Sequence, residues 1–165
     1  VFAYGSLIWR PGFQWTKCHR GRLQGWVRRF WQGSPDHRGT PLNPGRVVTL
    51  IQQANGHCDG VLYQIDPSSV NETLIYLDDR ESGGYERAVV DVFPEDGEPH
   101  KALTYIAHPD NASFLGPAQD HVMVDHIRGS VGPSGANRDY LLRLDAALEH
   151  WGIKDTHVSG LVAAL

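Results

Sequence analysis

The run R-L-Q-G-W-V-R-R-F-W-Q (Arg22–Gln32) is rich in aromatic and β-branched side chains and reads as a strand. It leads into G-S-P-D-H-R-G-T-P-L-N-P-G (Gly33–Gly45), where Gly33, Gly39 and Gly45 are interspersed with Pro35, Pro41 and Pro44. So many turn formers at that spacing predict an irregular loop. Loops this long inside a compact domain usually carry function. Further strands are expected at R-V-V-T-L-I-Q (Arg46–Gln52), G-V-L-Y-Q-I (Gly60–Ile65), E-R-A-V-V-D-V-F (Glu86–Phe93) and A-L-T-Y-I-A (Ala102–Ala107). Upstream, V-F-A-Y-G-S-L-I (Val1–Ile8) starts as a short apolar run and breaks at Gly5-Ser6.

The last third reads as helices. Asp66-Pro67-Ser68-Ser69 is a cap with proline in the first turn, and Val70, Leu74 and Leu77 recur at i, i+4 and i+7. That helix should end near Gly83-Gly84. Pro117 is expected to open a second helix, with Met123 and Ile127 on one face and Gly129 at its end. Asn137 or Ser134 would cap a third, whose Tyr140, Leu141, Leu144, Leu148 and Trp151 form the chain's best amphipathic stripe, closed by Gly152. A short helix should follow from Asp155. The expected fold is α+β, with a mixed or mostly antiparallel sheet and helices around it.

The 165 residues suit one domain, 1–165. Fifteen Lys and Arg against nineteen Asp and Glu leave a net charge of −4, which argues against a protein built to neutralise a phosphate backbone. No apolar run approaches the ~20 residues of a membrane helix. Neither nucleic acid nor membrane is an expected partner. Cys18 and Cys58 make no disulfide framework, and two reduced thiols in a cytoplasmic protein are the simpler reading.

Two segments could carry chemistry. At Tyr4-Gly5-Ser6-Leu7 a strand that turns can aim successive backbone N–H groups outward as a nest for an anion. An ordinary turn is the competing reading, and Ser6 lacks the glycine-flanked elbow of a nucleophile. In Arg80-Glu81-Ser82-Gly83-Gly84-Tyr85, Glu81 sits where a helix runs out, placed to line a cavity where burial raises a carboxyl pKa. The alternative is a solvated Glu paired with Arg80 or Arg87. Glu72 is a poor second carboxylate, because nine helical residues would separate the two by roughly 13.5 Å and turn them about 180° apart. His121 and His126 lie about 140° apart around a helix, and no metal-binding spacing occurs, so no metal is expected. Arg20, Arg22, Arg28 and Arg29, set among Trp26, Phe30 and Trp31, could be a base-stacking platform or a strand with its rings turned inward.

The order of these motifs is distinctive. F-A-Y-G-S-L-I-W (Phe2–Trp9), R-R-F-W-Q-G-S-P-D-H-R-G (Arg28–Gly39), P-G-R-V-V-T-L (Pro44–Leu50), L-D-D-R-E-S-G-G-Y (Leu77–Tyr85), Y-I-A-H-P-D-N (Tyr105–Asn111), F-L-G-P-A (Phe114–Ala118) and G-P-S-G-A-N-R-D-Y-L (Gly132–Leu141) follow one another. This string resembles the ChaC family of glutathione-specific γ-glutamylcyclotransferases across essentially the whole chain. The resemblance implies a small mixed, mostly antiparallel β-barrel with surrounding helices and the active site at one end. It implies that Tyr4–Leu7, with flanking Ala3 and Ile8, binds the γ-glutamyl group and that Glu81 is the general acid/base. It implies cleavage of glutathione to 5-oxoproline and Cys-Gly without a cofactor. The alternatives are the same chemistry on other γ-glutamyl peptides or amines, or a non-catalytic regulatory or binding module. A monomer or weak homodimer is expected. Glutathione carries two carboxylates, so Arg46 and Arg38 are candidates for positive charge at the site mouth, or else pin the loop by ion pairs. Tyr105 could stand beside the γ-glutamyl group or belong to the core.

Overall fold

A computed structural model describes residues 1–165. Strand β1 (Phe2–Ala3) is followed by a 3-10 turn at Ser6–Ile8 and by two long strands, β2 (Lys17–Ser34) and β3 (Gly45–Gln64). Helix α1 (Val70–Arg80), strands β4 (Glu86–Pro94) and β5 (His100–Ile106), and helix α2 (Asp120–Gly129) come next. A small hairpin, β6 (Val131–Gly132) and β7 (Gly135–Ala136), precedes α3 (Asn137–His150) and α4 (Thr156–Ala164). The five long-range strands form one antiparallel sheet in the order β1-β3-β2-β4-β5. Helices α2, α3 and α4 pack together, α2 and α3 resting on β3. No helix is long and apolar enough to cross a membrane.

The strands expected at 46–52 and 60–65 are one strand. Residues 53–56 do not end β3 but stand out as a bulge, four residues opposite Gly25 alone, after which pairing with β2 resumes. A second bulge lies in β2, where Phe30 and Trp31 face a single residue of β3. It frees two carbonyls from the ladder. That of Trp31 accepts from the amides of Leu115 and Gly116, and that of Phe30 from the Arg46 guanidinium.

The sheet is not closed into the expected barrel. Its edges β1 and β5 share no backbone ladder, since β1 is two residues long and turns away at Gly5. Side chains join the edges instead: the Thr104 hydroxyl donates to the Phe2 carbonyl at 2.9 Å and the Tyr4 hydroxyl to the Tyr105 carbonyl at 2.7 Å. One continuous apolar core, including Phe2, Phe30, Leu50, Leu77, Ile106 and Leu141, fills the space between sheet and helices.

The helix ends differ in detail from the spacing rules. Asp66 caps the turn before α1 by accepting from the Ser68 amide. α2 starts three residues after Pro117, and neither Ser134 nor Asn137 caps α3. The buried Asn137 side chain instead accepts from the Arg46 amide and donates to the Arg46 carbonyl, both at 2.7 Å. It satisfies a strand-edge peptide group that burial would otherwise orphan. Asp155 caps α4 through the amides of His157 and Val158.

Candidate active site

The site begins where β1 ends. Both ends of Tyr4 are held, its carbonyl by Arg28 Nε at 2.6 Å and its hydroxyl by the Tyr105 carbonyl. Gly5 then passes so close to its neighbours that a Cβ would lie 3.0 Å from Val48 Cγ2 and 3.3 Å from the Tyr140 hydroxyl. The chain coils into the 3-10 turn, in which Ile8 donates to the Gly5 carbonyl and Trp9 and Arg10 to that of Ser6. The N–H groups at the start of such a turn have no partner within it, and the Gly5 amide makes no hydrogen bond in the chain. Residues 4–7 line a cavity of about 280 Å³, near the small end of the ~300–1,000 Å³ typical of ligand pockets.

Glu81 reaches the same cavity from α1. The helix buries Leu77 and ends at Glu81, whose amide donates to the Leu77 carbonyl at 2.9 Å. The two glycines that follow turn the chain into β4, Gly84 at a φ of 90° that a side chain rarely adopts. The buried Gln32 side chain donates to the Gly83 carbonyl at 3.2 Å and exchanges hydrogen bonds with Asn111. Tyr85 locks the far end through its hydroxyl, which donates to the Val48 carbonyl at 2.6 Å.

One guanidinium connects the two halves. Arg80 Nη2 donates to Ser6 Oγ at 2.8 Å, and Arg80 Nε lies 3.2 Å from Glu81 Oε1. The Glu81 carboxylate and the turn therefore flank one arginine within the same cavity. The Glu81 side chain is only 17% exposed. Burial pushes its pKa above the ordinary 4.5, and the charges of Arg80 and His37 offset part of that rise. A carboxyl so placed can take up and give back a proton under mild conditions.

The other expected site residues fall into two groups. Tyr4, Gly5, Ser6, Leu7, Glu81, Tyr105 and Arg38 line the cavity. Ala3 and Ile8 lie in the core beside it, Ala3 paired with Val61 and the Ile8 carbonyl accepting from the Tyr63 hydroxyl at 3.2 Å. Tyr105 presents its ring, since its hydroxyl is taken by Asp78 Oδ1 at 2.7 Å. Arg46 does not line the cavity, contrary to expectation. Its buried guanidinium donates to the carbonyls of Phe30 and Gly116, each at 3.0 Å, and forms no ion pair. Glu72 is exposed in the first turn of α1, and Arg87 pairs with Asp78 rather than with Glu81.

The arginine and aromatic run of β2 forms no stacking platform. Arg28 is fully buried and binds Asp155, the Tyr4 carbonyl and the Asp59 carbonyl, while Arg22 pairs with Asp59 and Arg20 with Glu95. The sequence reading missed Arg10, Tyr85, Tyr140 and Arg143, which complete the cavity wall. Tyr140 belongs to the apolar stripe of α3 and Arg143 to its polar face, and nothing in that periodicity distinguishes them from core and surface.

Segment 35–44 packs over the cavity, where Asp36, His37 and Arg38 form part of the wall. The His37 carbonyl accepts from the Ser134 amide at 2.9 Å, and the Asn43 side chain donates to the Gly129 carbonyl at 3.2 Å. The loop is thereby tied to the β6–β7 hairpin and the end of α2.

Comparison with known proteins agrees with this geometry. A solved structure of a γ-glutamyl cyclotransferase specific to glutathione from yeast superposes with a TM-score of 0.89 at 32% identity, covering 99% of this chain and 93% of that one. A structure named γ-glutamyl cyclotransferase shares the fold more distantly, with a TM-score of 0.60 over 98% of this chain and 85% of that one, at 19% identity. Glutathione-specific γ-glutamylcyclotransferase 1 of Homo sapiens is 42% identical over 100% of this chain and 77% of its own length. Glutathione-specific γ-glutamylcyclotransferase of Saccharomyces cerevisiae is 35% identical over 90% of this chain and 84% of its own length. The family model described as ChaC-like protein matches residues 1–165. The chain belongs to the ChaC-like family.

Proposed function

We propose that this protein is a γ-glutamylcyclotransferase that degrades glutathione to 5-oxoproline and Cys-Gly, with residues 1–165 working as one domain. The observation that carries the reading is the buried Glu81 carboxylate sharing the Arg80 guanidinium with Ser6 at one cavity. The names of relatives at 42% and 35% identity supply the substrate. A thiol substrate and two free cysteines suit a reducing compartment such as the cytoplasm.

In this reading the substrate supplies its own nucleophile. Its α-amine attacks its γ-carbonyl, closing a five-membered ring, and the C–N bond to cysteine breaks. Folding the γ-glutamyl group back on itself is the first task, and holding reacting atoms in that near-attack geometry can remove several kcal/mol of barrier. Glu81 accepts a proton from the α-ammonium, which frees the lone pair, and delivers it to the departing nitrogen. Without that delivery the leaving group would be an amide anion. The free amide of Gly5 and the first amides of the 3-10 turn are the donors for the oxyanion or the α-carboxylate. A single oxyanion donor is typically worth about 3–4 kcal/mol. Ser6 Oγ already accepts from Arg80 and serves position, not attack.

Incubation with reduced glutathione, followed by chromatography, tests the reading. 5-Oxoproline and Cys-Gly should appear in equal amounts, faster than 5-oxoproline from γ-glutamyl-alanine. No 5-oxoproline from either peptide would overturn it.

A further inference from the structure

Three arginines with no acidic partner meet at the cavity. Arg10 leaves the 3-10 turn, Arg38 comes from segment 35–44 and Arg143 from α3. None of the three forms an ion pair, although Asp36 and Glu81 line the same cavity. Asp36 lies beside His37 and Ser34, and Glu81 beside Arg80. Arg38 is 9% exposed, donates through Nη1 to the Ala136 carbonyl at 3.3 Å, and holds its guanidinium 5.7 Å from the Tyr140 ring centre. Burial lowers its pKa, and the charges of Arg143 and Arg10 lower it further against the opposing Tyr140 and Asp139. Arg10 and Arg143 are thus near enough for their charges to act on Arg38.

Unpaired like charges facing one hollow destabilise a fold and attract an anion to that hollow. Arg46 and Arg80 differ, because the first does not line the cavity and the second is engaged by Ser6 and Glu81. Arg10 and Arg143 are exposed at the cavity rim, whereas Arg38 and Glu81 stand deeper, at 9% and 17% exposed. A γ-glutamyl tripeptide such as glutathione, with its γ-carbonyl beside Glu81, carries its C-terminal carboxylate two residues further on, about 7 Å away when extended. Its α-carboxylate and α-amine are engaged by the turn and by Glu81. The remaining carboxylate reaches the rim.

We propose that Arg10, Arg38 and Arg143 are the subsite for the C-terminal carboxylate of the leaving peptide. They select γ-glutamyl tripeptides with a free terminal acid over their uncharged terminal amides. This rests on the cyclotransferase reading above.

The test compares kcat/KM for 5-oxoproline release from glutathione and from its glycinamide analogue, in the parent protein, Arg10→Gln, Arg143→Gln and the double variant. The buried Arg38 stays intact to protect the fold. The parent should favour the acid about a hundredfold. Each substitution should lower kcat/KM for glutathione about tenfold, mainly through KM, and the double variant should bring the acid-to-amide ratio near one. Equal use of acid and amide by the parent, or equal loss of both in the variants, overturns the subsite. Should the parent release no 5-oxoproline from either compound, the cyclotransferase reading fails. Calorimetric titration with glutathione then still decides the arginines, because weaker binding in the double variant supports them and equal binding overturns them.

Discussion

Replacing Glu81 by glutamine isolates the proton shuttle from the architecture that holds it. Glutamine has the same shape, and its side-chain oxygen can keep the acceptor position 3.2 Å from Arg80 Nε. The Gln32, Tyr85 and Leu77 bonds that fix this segment involve other atoms. What is lost is the ability to accept and return a proton, worth two to four orders of magnitude in general acid–base catalysis. The expected loss in kcat is about a thousandfold, the middle of that range. That equals about 4 kcal/mol of barrier. Stability should move the other way. The folded-state pKa of Glu81 lies above its unfolded value, so the folded protein loses stability as pH rises from one value to the other. Glutamine does not carry that penalty, so its melting temperature should equal or exceed the parent's at pH 7. The gap should close below pH 4. The assay pairs 5-oxoproline release with thermal denaturation at both pH values. More than a tenth of the parent activity, or a variant markedly less stable at pH 7, refutes the assignment. The same raised pKa places the acid limb of the parent's kcat/KM profile above 4.5.

Ser6→Ala should leave turnover within about tenfold of the parent, since Arg80 keeps its bonds to the Arg10 carbonyl, the Tyr76 hydroxyl and Glu81. A thousandfold loss, or a burst of product consistent with an acyl-enzyme, would make Ser6 a nucleophile. Arg28→Met removes a buried cation that joins Tyr4, the Asp59 carbonyl and Asp155, and leaves Asp155 without its partner. The expected cost is about 3–5 kcal/mol, read from the urea midpoint, and a change under 1 kcal/mol would contradict the assigned role.

Much of the fold was legible because its signals are local. The strands and the helical stripe from Tyr140 to Leu148 follow from which side chains are apolar and at what spacing. The glycine-rich exits at Gly5 and Gly83-Gly84 marked where the chain leaves a regular element, and both segments meet at the cavity. The continuity of β3 was not legible, because Asn55-Gly56 imitates a turn while the neighbouring residues hold the register. Barrel closure also misled, since it depends on whether two distant edges meet through peptide groups or through side chains such as Thr104 and Tyr4.

Arginine shows most clearly where sequence stops and tertiary structure decides. Arg28, Arg38, Arg46, Arg80 and Arg143 are the same residue, and each was visible in the chain. The sequence alone determined the α+β composition, the order of motifs and the carboxylate at the end of the first helix. Only the folded chain determined which arginine meets a carbonyl, which a carboxylate and which an open cavity. Every residue offers a carbonyl, so an acceptor for a buried guanidinium leaves no mark in composition or spacing. Its position depends on how elements up to 98 residues apart come together.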